Sequence, residues 1–347
     1  MTVIDTLFVS TVMGKPAVVW LAFAAIVAAL LAFDLGVLGR RRARTGGEEG
    51  MSTAQSLWLS AFYIGAGLAF GGWVWSSMGA EAGLDYFTGF LVEKTLSLDN
   101  VFVIALIFSY FAIPGAYQHR VLFWGILGAI VLRAAMIAAG AALVTSFSWI
   151  LYVFGAFLIA TGIKMLWLGE QKPDLESNPL LRLMRRRMRV SDRLHGQRFL
   201  VRQPDAAGRM RWFATPLLLA LVLVEAADLI FAVDSVPAIF AITQDPFIVT
   251  TSNIFAILGL RALYFALAAA IHRFAYLKTA LSLVLVFIGA KIFLVNIVGK
   301  TPAWLSLGVV AVLIAGGIAY SLWRTHAETR SGAASRGAVP ATRDGLS

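Results

Sequence analysis

Two stretches decide the architecture of this chain: Glu93-Lys-Thr-Leu-Ser-Leu-Asp99-Asn100-Val101 and Asp228-Leu-Ile-Phe-Ala-Val-Asp234-Ser235-Val236. Each reads as an acid, five residues, an aspartate, a small amide or hydroxyl residue, then valine. Both lie inside long apolar segments. A carboxylate at the centre of a membrane helix costs roughly 2.5–3.5 kcal/mol on insertion scales, so such residues mark sites by default. The same costly arrangement, present twice, points to one site assembled from two halves.

The surrounding composition is that of a membrane protein. Of 347 residues, 59% are hydrophobic and 14% charged, against about 25% charged in soluble domains. Mean hydropathy is +0.80. About 20 apolar residues cross a hydrocarbon core about 30 Å thick. Nine segments qualify: 17–38, 56–76, 86–111, 119–143, 149–168, 213–241, 250–271, 279–298 and 303–323. The expected fold is therefore all-α, a polytopic membrane helical bundle. A net charge of +10 and a pI near 10.1 could suit nucleic acid, but the distribution argues against it. With the N-terminus outside, twenty-two Lys and Arg fall in cytoplasmic stretches and only Lys15 and Lys300 outside. Lys94, Arg133, Lys164, Arg261 and Lys291 fall within helices. That is a positive-inside pattern, and it predicts an external N-terminus and a cytoplasmic C-terminus. The first apolar segment is followed by its basic cluster, Arg40, Arg41, Arg42 and Arg44, whereas a cleaved signal peptide carries its charge in front. The absence of cysteine excludes disulfides, thiolate metal sites and thiol redox chemistry.

Repetition extends beyond the acidic motif. Ile126-Leu127-Gly128, with Arg133 five residues on, recurs as Ile257-Leu258-Gly259 with Arg261 two residues on, and Gly162-Ile-Lys164 recurs as Gly289-Ala-Lys291. The order is the same in both halves, which defines three-helix units at 86–168 and 213–298. Three is odd, so the second unit enters from the opposite face, as in the inverted repeats of many transporters. Around the units lie a first transmembrane helix with a basic cytoplasmic loop (1–55), a second helix with an external loop (56–85), a basic cytoplasmic loop (169–212), a last helix (299–323) and a tail expected to be disordered (324–347). Segment 169–212 carries eleven basic and five acidic residues. Within it, Asn178-Pro179 reads as N-cap and first residue of an amphipathic helix with Leu180, Leu181, Met184 and Met188 apolar. Two short strands, 199–202 and 209–213, flank Pro204-Asp-Ala-Ala-Gly208 as a hairpin. The loop is expected to lie on anionic lipid headgroups.

A two-fold axis in the membrane plane would bring Asp99 and Asp234 together at mid-depth, with Asn100 and Ser235 beside them. Glu93 and Asp228 would stand on the two access routes, and Glu225 precedes Asp228 on the cytoplasmic approach. Such oxygen donors suit Mg, Ca or Mn, and His119, His195, His272 and His326 all lie in loops or the tail. Residues six apart on a helix lie about 120° from each other, so Glu93 and Asp99 cannot share a face, nor can Asp228 and Asp234. Pro237 predicts a break that exposes carbonyls beside Asp234. The first copy lacks proline and is expected to be unbroken, with Asp99 facing the ion. Lys94, Arg133, Lys164, Arg261 and Lys291 are candidate counter-ions, and Asp34 is a further acid near the cytoplasmic surface. The same charges also fit an internally paired network that holds no ligand.

Glu93-Lys-Thr-Leu-Ser-Leu-Asp-Asn-Val-Phe-Val, Phe231-Ala-Val-Asp-Ser-Val-Pro-Ala-Ile-Phe, Gln244-Asp-Pro-Phe-Ile and Thr251-Ser-Asn-Ile-Phe-Ala-Ile-Leu-Gly-Leu-Arg261-Ala-Leu-Tyr-Phe resemble the TerC/Alx family of bacterial integral membrane proteins. The likeness runs from about Asp34 to Gly299. It implies an inner-membrane exporter of Mn²⁺, in a family first named for tellurite resistance, with the metal as cargo and no permanently bound cofactor. It further implies that Glu93, Asp99, Asn100, Glu225, Asp228, Asp234 and Ser235 bind and pass the metal. One position departs from the family: Ala227 stands where a hydroxyl residue often precedes the second acid of the Glu-x-x-Asp stretch. Metal ligands must be deprotonated, so exchange of metal for protons is a natural expectation, and no Walker-type phosphate loop is present. Neither His-Glu-x-x-His nor Gly-x-Ser-x-Gly occurs, which argues against an intramembrane hydrolase and for a protein that is not an enzyme. The competing reading is a membrane assembly or metal-delivery scaffold working through the 169–212 loop. The sequence identifies neither a homo-oligomer nor a protein partner.

Overall fold

The computed structural model describes residues 10–45, 53–168, 175–205, 208–267, 277–299 and 301–336. A small hairpin, β1 (Thr11–Val12) and β2 (Lys15–Pro16), turns on Met13 and Gly14 and leads into α1 (Ala17–Thr45). Next come α2 (Thr53–Met78), α3 (Ala80–Tyr110), α4 (Gly115–Ser146) and α5 (Ile150–Leu168). The short helix α6 (Pro179–Arg187) and the hairpin β3 (Leu200–Pro204) and β4 (Met210–Ala214) follow. The chain then returns to long helices: α7 (Pro216–Ile242), α8 (Pro246–Leu258), α9 (Leu260–Leu267), α10 (Leu277–Val298) and α11 (Ala303–Arg336).

Among the described residues, eight helical segments are long and apolar enough to cross a membrane: α1, α2, α4, α5, α7, α8 with α9, α10 and α11. The 31 residues of α3 also suffice in length, but Glu81, Asp85, Glu93, Lys94 and Asp99 are spread along it rather than gathered at one end. The chain is a polytopic helical membrane protein. In the apolar 18-residue stretch of α8–α9, 94% of the residues are buried inside the bundle, against 17% in that of α5.

The helices pair in a reciprocal way. α3 packs along α8, as α7 packs along α4. Both pairs run parallel: Gly89 meets Ser252 and Lys94 meets Ala256, while Gly125 meets Val224 and Gly140 meets Phe240. α3 and α7 cross antiparallel, with Asn100 beside Asp228 and Glu93 beside Ser235. α5 and α10 are antiparallel too. A Cβ at Gly289 would stand 2.6 Å from the Gly155 carbonyl oxygen, and one at Gly162 would stand 2.7 Å from that of Ser282. Glycine lets these backbones touch, as small residues do in membrane helix pairs. These are the glycines of the repeated Gly-x-Lys motif and its neighbour one heptad earlier.

Within 169–212 a capped helix and a hairpin form where they are expected. Asn178 caps α6, accepting from the Leu180 and Leu181 amides at 2.9 and 3.3 Å, and Pro179 opens the helix. Leu181 and Met184 are buried, and Arg182, Arg185, Arg186 and Arg187 are exposed. In the hairpin, Arg202 pairs with Trp212 and stacks over its ring at 5.1 Å.

Two expectations fail. Pro237 does not break its helix: α7 is continuous through it, and the interruption falls at Gly259, between α8 and α9. Proline removes one donor, and a helix packed against α3, α4, α5 and α10 tolerates that loss. The tail is not disordered from residue 324 onward, because α11 continues to Arg336. Its Ala, Arg and Glu residues are good helix formers and extend a helix already nucleated in the bundle. Residues 268–271 of the seventh predicted span and 337–347 of the tail lie outside the described residues.

Candidate functional site

The centre of the bundle is organised by one arginine. Arg133 of α4 is 1% exposed and makes five hydrogen bonds to three helices. Its Nη1 donates to Glu93 Oε1 at 2.5 Å, Ser235 Oγ at 2.7 Å and Asn253 Oδ1 at 3.2 Å. Its Nε and Nη2 reach the two oxygens of Asp228 at 3.4 and 3.3 Å. Asn253 Nδ2 also donates to Glu93 Oε2 at 3.3 Å, and Asn100 Nδ2 to Asp228 Oδ1 at 3.0 Å. The planar guanidinium supplies donors in several directions at once, which an ammonium cannot do with the same geometry. Glu93 and Asp228 against one Arg133 leave the centre formally negative.

Beside Asp228 lies a cavity of about 20 Å³, lined by Asn100, Gly125, Ala129, Asp228, Leu260 and Arg261 among others. About 10–15 Å³ measured this way holds a water. Leu122, Gly125, Ile126 and Ala129 form its α4 wall on the helical face that continues to Arg133. Asn100 Oδ1 and Glu225 Oε2 are buried acceptors without a partner, which makes them oxygen donors in waiting. Glu225 lies within coulombic reach of Asp228, and its carboxylate occupies the space where a Cβ on Gly128 would be.

The structure therefore brings together Glu93, Asn100, Asp228, Ser235 and Arg133, with Glu225 adjacent. It does not bring Asp99 and Asp234 together at mid-depth. The Glu93–Ser235 and Asn100–Asp228 pairs set residue 99 level with 229, five residues from 234, or about 7.5 Å along the axes at 1.5 Å per residue. Asp234 instead accepts from Thr161 of α5 at 3.4 Å, near the exposed Lys164. Asp99 is half-buried one residue before Asn100. The 120° separation holds, but Glu93 and Asp228 are the members of each pair that face inward.

The expected counter-ions also divide. Only Arg133 joins both acidic helices. Lys94 Nζ donates to the Ala256 carbonyl at 2.9 Å, at the C-terminal end of α8 where a cation is favoured. Arg261, 3% exposed, forms an ion pair with Asp34 of α1, 5% exposed, and touches its carbonyl at 3.4 Å. Lys291 lies within coulombic reach of Asp85, to which Thr243 also bonds.

Among the described residues, no group of three or more His, Cys, Asp or Glu could hold a metal ion. A cation at this centre would need the amide and hydroxyl oxygens as well. Sequence reasoning missed Asn253, Gly128 and Asp85 as site members. Asn253 was recoverable, because an amide in the apolar run of α8 is as unusual there as Asn100 is in α3. Gly128 was seen as a repeat marker, but nothing in the sequence joins it to Glu225.

The model of the integral membrane protein TerC family matches residues 78–329. An uncharacterized membrane protein of Myxococcus xanthus, STKORF319, is 48% identical over 317 residues, which is 91% of this chain and 95% of its own. An uncharacterized membrane protein of Rickettsia bellii is 45% identical over 307 residues, 88% of this chain and 98% of its own. Alx of Escherichia coli strain K12, whose name provisionally describes a membrane-bound redox modulator, is 46% identical over 305 residues, 86% of this chain and 91% of its own. No solved structure matches the chain significantly. With a family model covering most of its length and relatives aligned almost end to end, the chain belongs to the integral membrane protein TerC family.

Proposed function

We propose that this protein is a secondary transporter of the bacterial inner membrane that exports Mn²⁺. The observation that carries the reading is the cavity beside Asp228, with an unpartnered amide oxygen on Asn100 and an unpartnered carboxylate oxygen on Glu225 close by. Hard divalent ions prefer such ligands. The two acidic helices contribute unequally: Asp228 from α7 and Asn100 from α3 line the cavity, Glu225 lies three residues before Asp228 against Gly128, and Glu93 and Ser235 bond to Arg133. Asp99 and Asp234, offset around their helices, serve the approaches rather than the centre. The reciprocal antiparallel pairing of α3 with α7 and α5 with α10 supports an inverted repeat, which lets one bundle open to either face in turn. The positive-inside bias supports an external N-terminus and a cytoplasmic C-terminus. The redox role in the name of the relative Alx would reach this cysteine-free chain only indirectly, through the metal it moves.

A second reading, assembly or metal delivery through segment 169–212, draws on the exposed arginines of α6 and on Trp212, 59% exposed. The two readings separate in one experiment. Cellular manganese is measured after a Mn²⁺ load in an exporter-deficient bacterium that carries wild type, Asp228→Asn, Glu225→Gln or a deletion of 179–187, at matched membrane levels. Wild type and the deletion are expected to lower manganese, and the two acid variants are not. Manganese unchanged by wild type refutes the transport reading, and loss of function in the deletion alone supports the scaffold.

A further inference from the structure

The two sides of Arg133 are held differently. Towards Glu93, Ser235 and Asn253 its bonds are 2.5, 2.7 and 3.2 Å; towards Asp228 they are 3.3 and 3.4 Å. Strong ionic hydrogen bonds run about 2.7–2.9 Å, so the Asp228 contacts lie at the weak end of the range. The cavity opens on this loosely held side, because Asp228 itself lines it. Asp228 is thus shared between a guanidinium on one side and an open space on the other. Asn100 Nδ2 steadies the carboxylate, and Asn100 Oδ1 is left without a partner. Among the described residues no other cation bonds to Asp228: Lys94 is committed to a carbonyl, and Arg261, which also lines the cavity, is paired with Asp34.

We infer that Arg133 is a tethered counter-cation: it and a divalent ion occupy the Asp228 carboxylate in turn. The inference rests on the cation-transport reading above and deepens it. In the empty protein the guanidinium closes the gap between the two acidic helices and neutralises part of their charge. An ion that reaches the cavity takes Asp228, with Asn100 Oδ1, and Arg133 stays anchored to Glu93. When the ion leaves, the guanidinium returns. Arg133 is therefore a positioning residue that sets how tightly the ion is held and how readily it departs. It also favours doubly charged cargo, since a divalent ion gains about twice what a singly charged group such as the guanidinium gains from the same carboxylate at the same distance.

The test uses the purified full chain. Mn²⁺ binding is measured in detergent by loss of the free-ion electron paramagnetic resonance signal, and Mn²⁺ flux by the same protein in liposomes. Removing the internal competitor in Arg133→Gln is expected to tighten Mn²⁺ binding at least about tenfold, equivalent to about 1.4 kcal/mol, while the maximal flux falls because release slows. Arg133→Lys keeps the charge but loses the fork, and should bind with an affinity between the two. It carries the test by itself if Arg133→Gln does not fold. An arginine that only holds the fold together would lower flux without tightening binding, so equal or weaker binding in the variants overturns the inference and leaves the transport reading standing. Wild type that binds and moves no Mn²⁺ overturns both.

Discussion

Removing Asp34 should destabilise the protein through the charge it leaves behind. Arg261 is 3% exposed, and its partners are the Asp34 carboxylate and, at 3.4 Å, the Asp34 carbonyl. In Asp34→Ala the carboxylate is lost, and one long bond to a neutral carbonyl remains. Breaking one side of a buried ion pair costs about 3–5 kcal/mol, whereas replacing both partners with well-packed apolar groups is often neutral. The single variant should therefore lose about 3–5 kcal/mol of unfolding free energy. Asp34→Ala with Arg261→Met should recover most of that, because methionine fills the volume without a charge. The assay is reversible unfolding by denaturing detergent in mixed micelles, with all four members of the cycle measured together. Contacting residues are where such cycles show coupling. If the double variant is as unstable as Asp34→Ala alone, the loss comes from packing, and the reasoning from an orphaned charge is wrong.

Three further outcomes follow from the packing. Gly128→Ala should leave stability within about 1 kcal/mol, since alanine is the better helix former, yet reduce Mn²⁺ flux by pushing the Glu225 carboxylate aside; wild-type flux would show that Glu225 tolerates the shift. Gly289→Leu should cost about 1–3 kcal/mol of unfolding free energy or more, as overpacking does, because its side chain would meet the Gly155 backbone; wild-type stability would refute the close crossing. Asn178→Ala should cost α6 about 1 kcal/mol, seen as faster amide hydrogen exchange over 179–187 with no change in the other helices.

Much of the fold was legible because membrane helices announce themselves by length and composition. The cap at Asn178 and the 200–214 hairpin were legible because their signals are local. The centre of the site was harder to read. Helical geometry established that Glu93 and Asp99 face different ways, but not which of them faces inward. That choice is made by Arg133, forty residues away on α4. Arg133 and Arg261 looked equivalent in the repeat, yet they differ in spacing from their glycines, five residues against two, and find different acids. Pro237 removes a single donor from a packed helix, whereas the break falls at Gly259, where a Cβ would stand 2.9 Å from Lys94 Nζ and from Tyr63 Cβ; neither neighbour is legible from the local sequence.

The enclosure of α8 bears on how the chain is assembled during synthesis. With α9 it is the most enclosed of the spans, and Asn253 at its middle would be poorly accommodated by lipid. Its main neighbours, α2, α3 and α4, all precede it in the chain. When α8 leaves the ribosome its slot already exists, formed by helices made earlier. It can pass from the insertion machinery into protein without a stable lipid-facing stage. Mutations that weaken α2, α3 or α4 should then be felt first as degradation of newly made chains rather than as melting of finished ones.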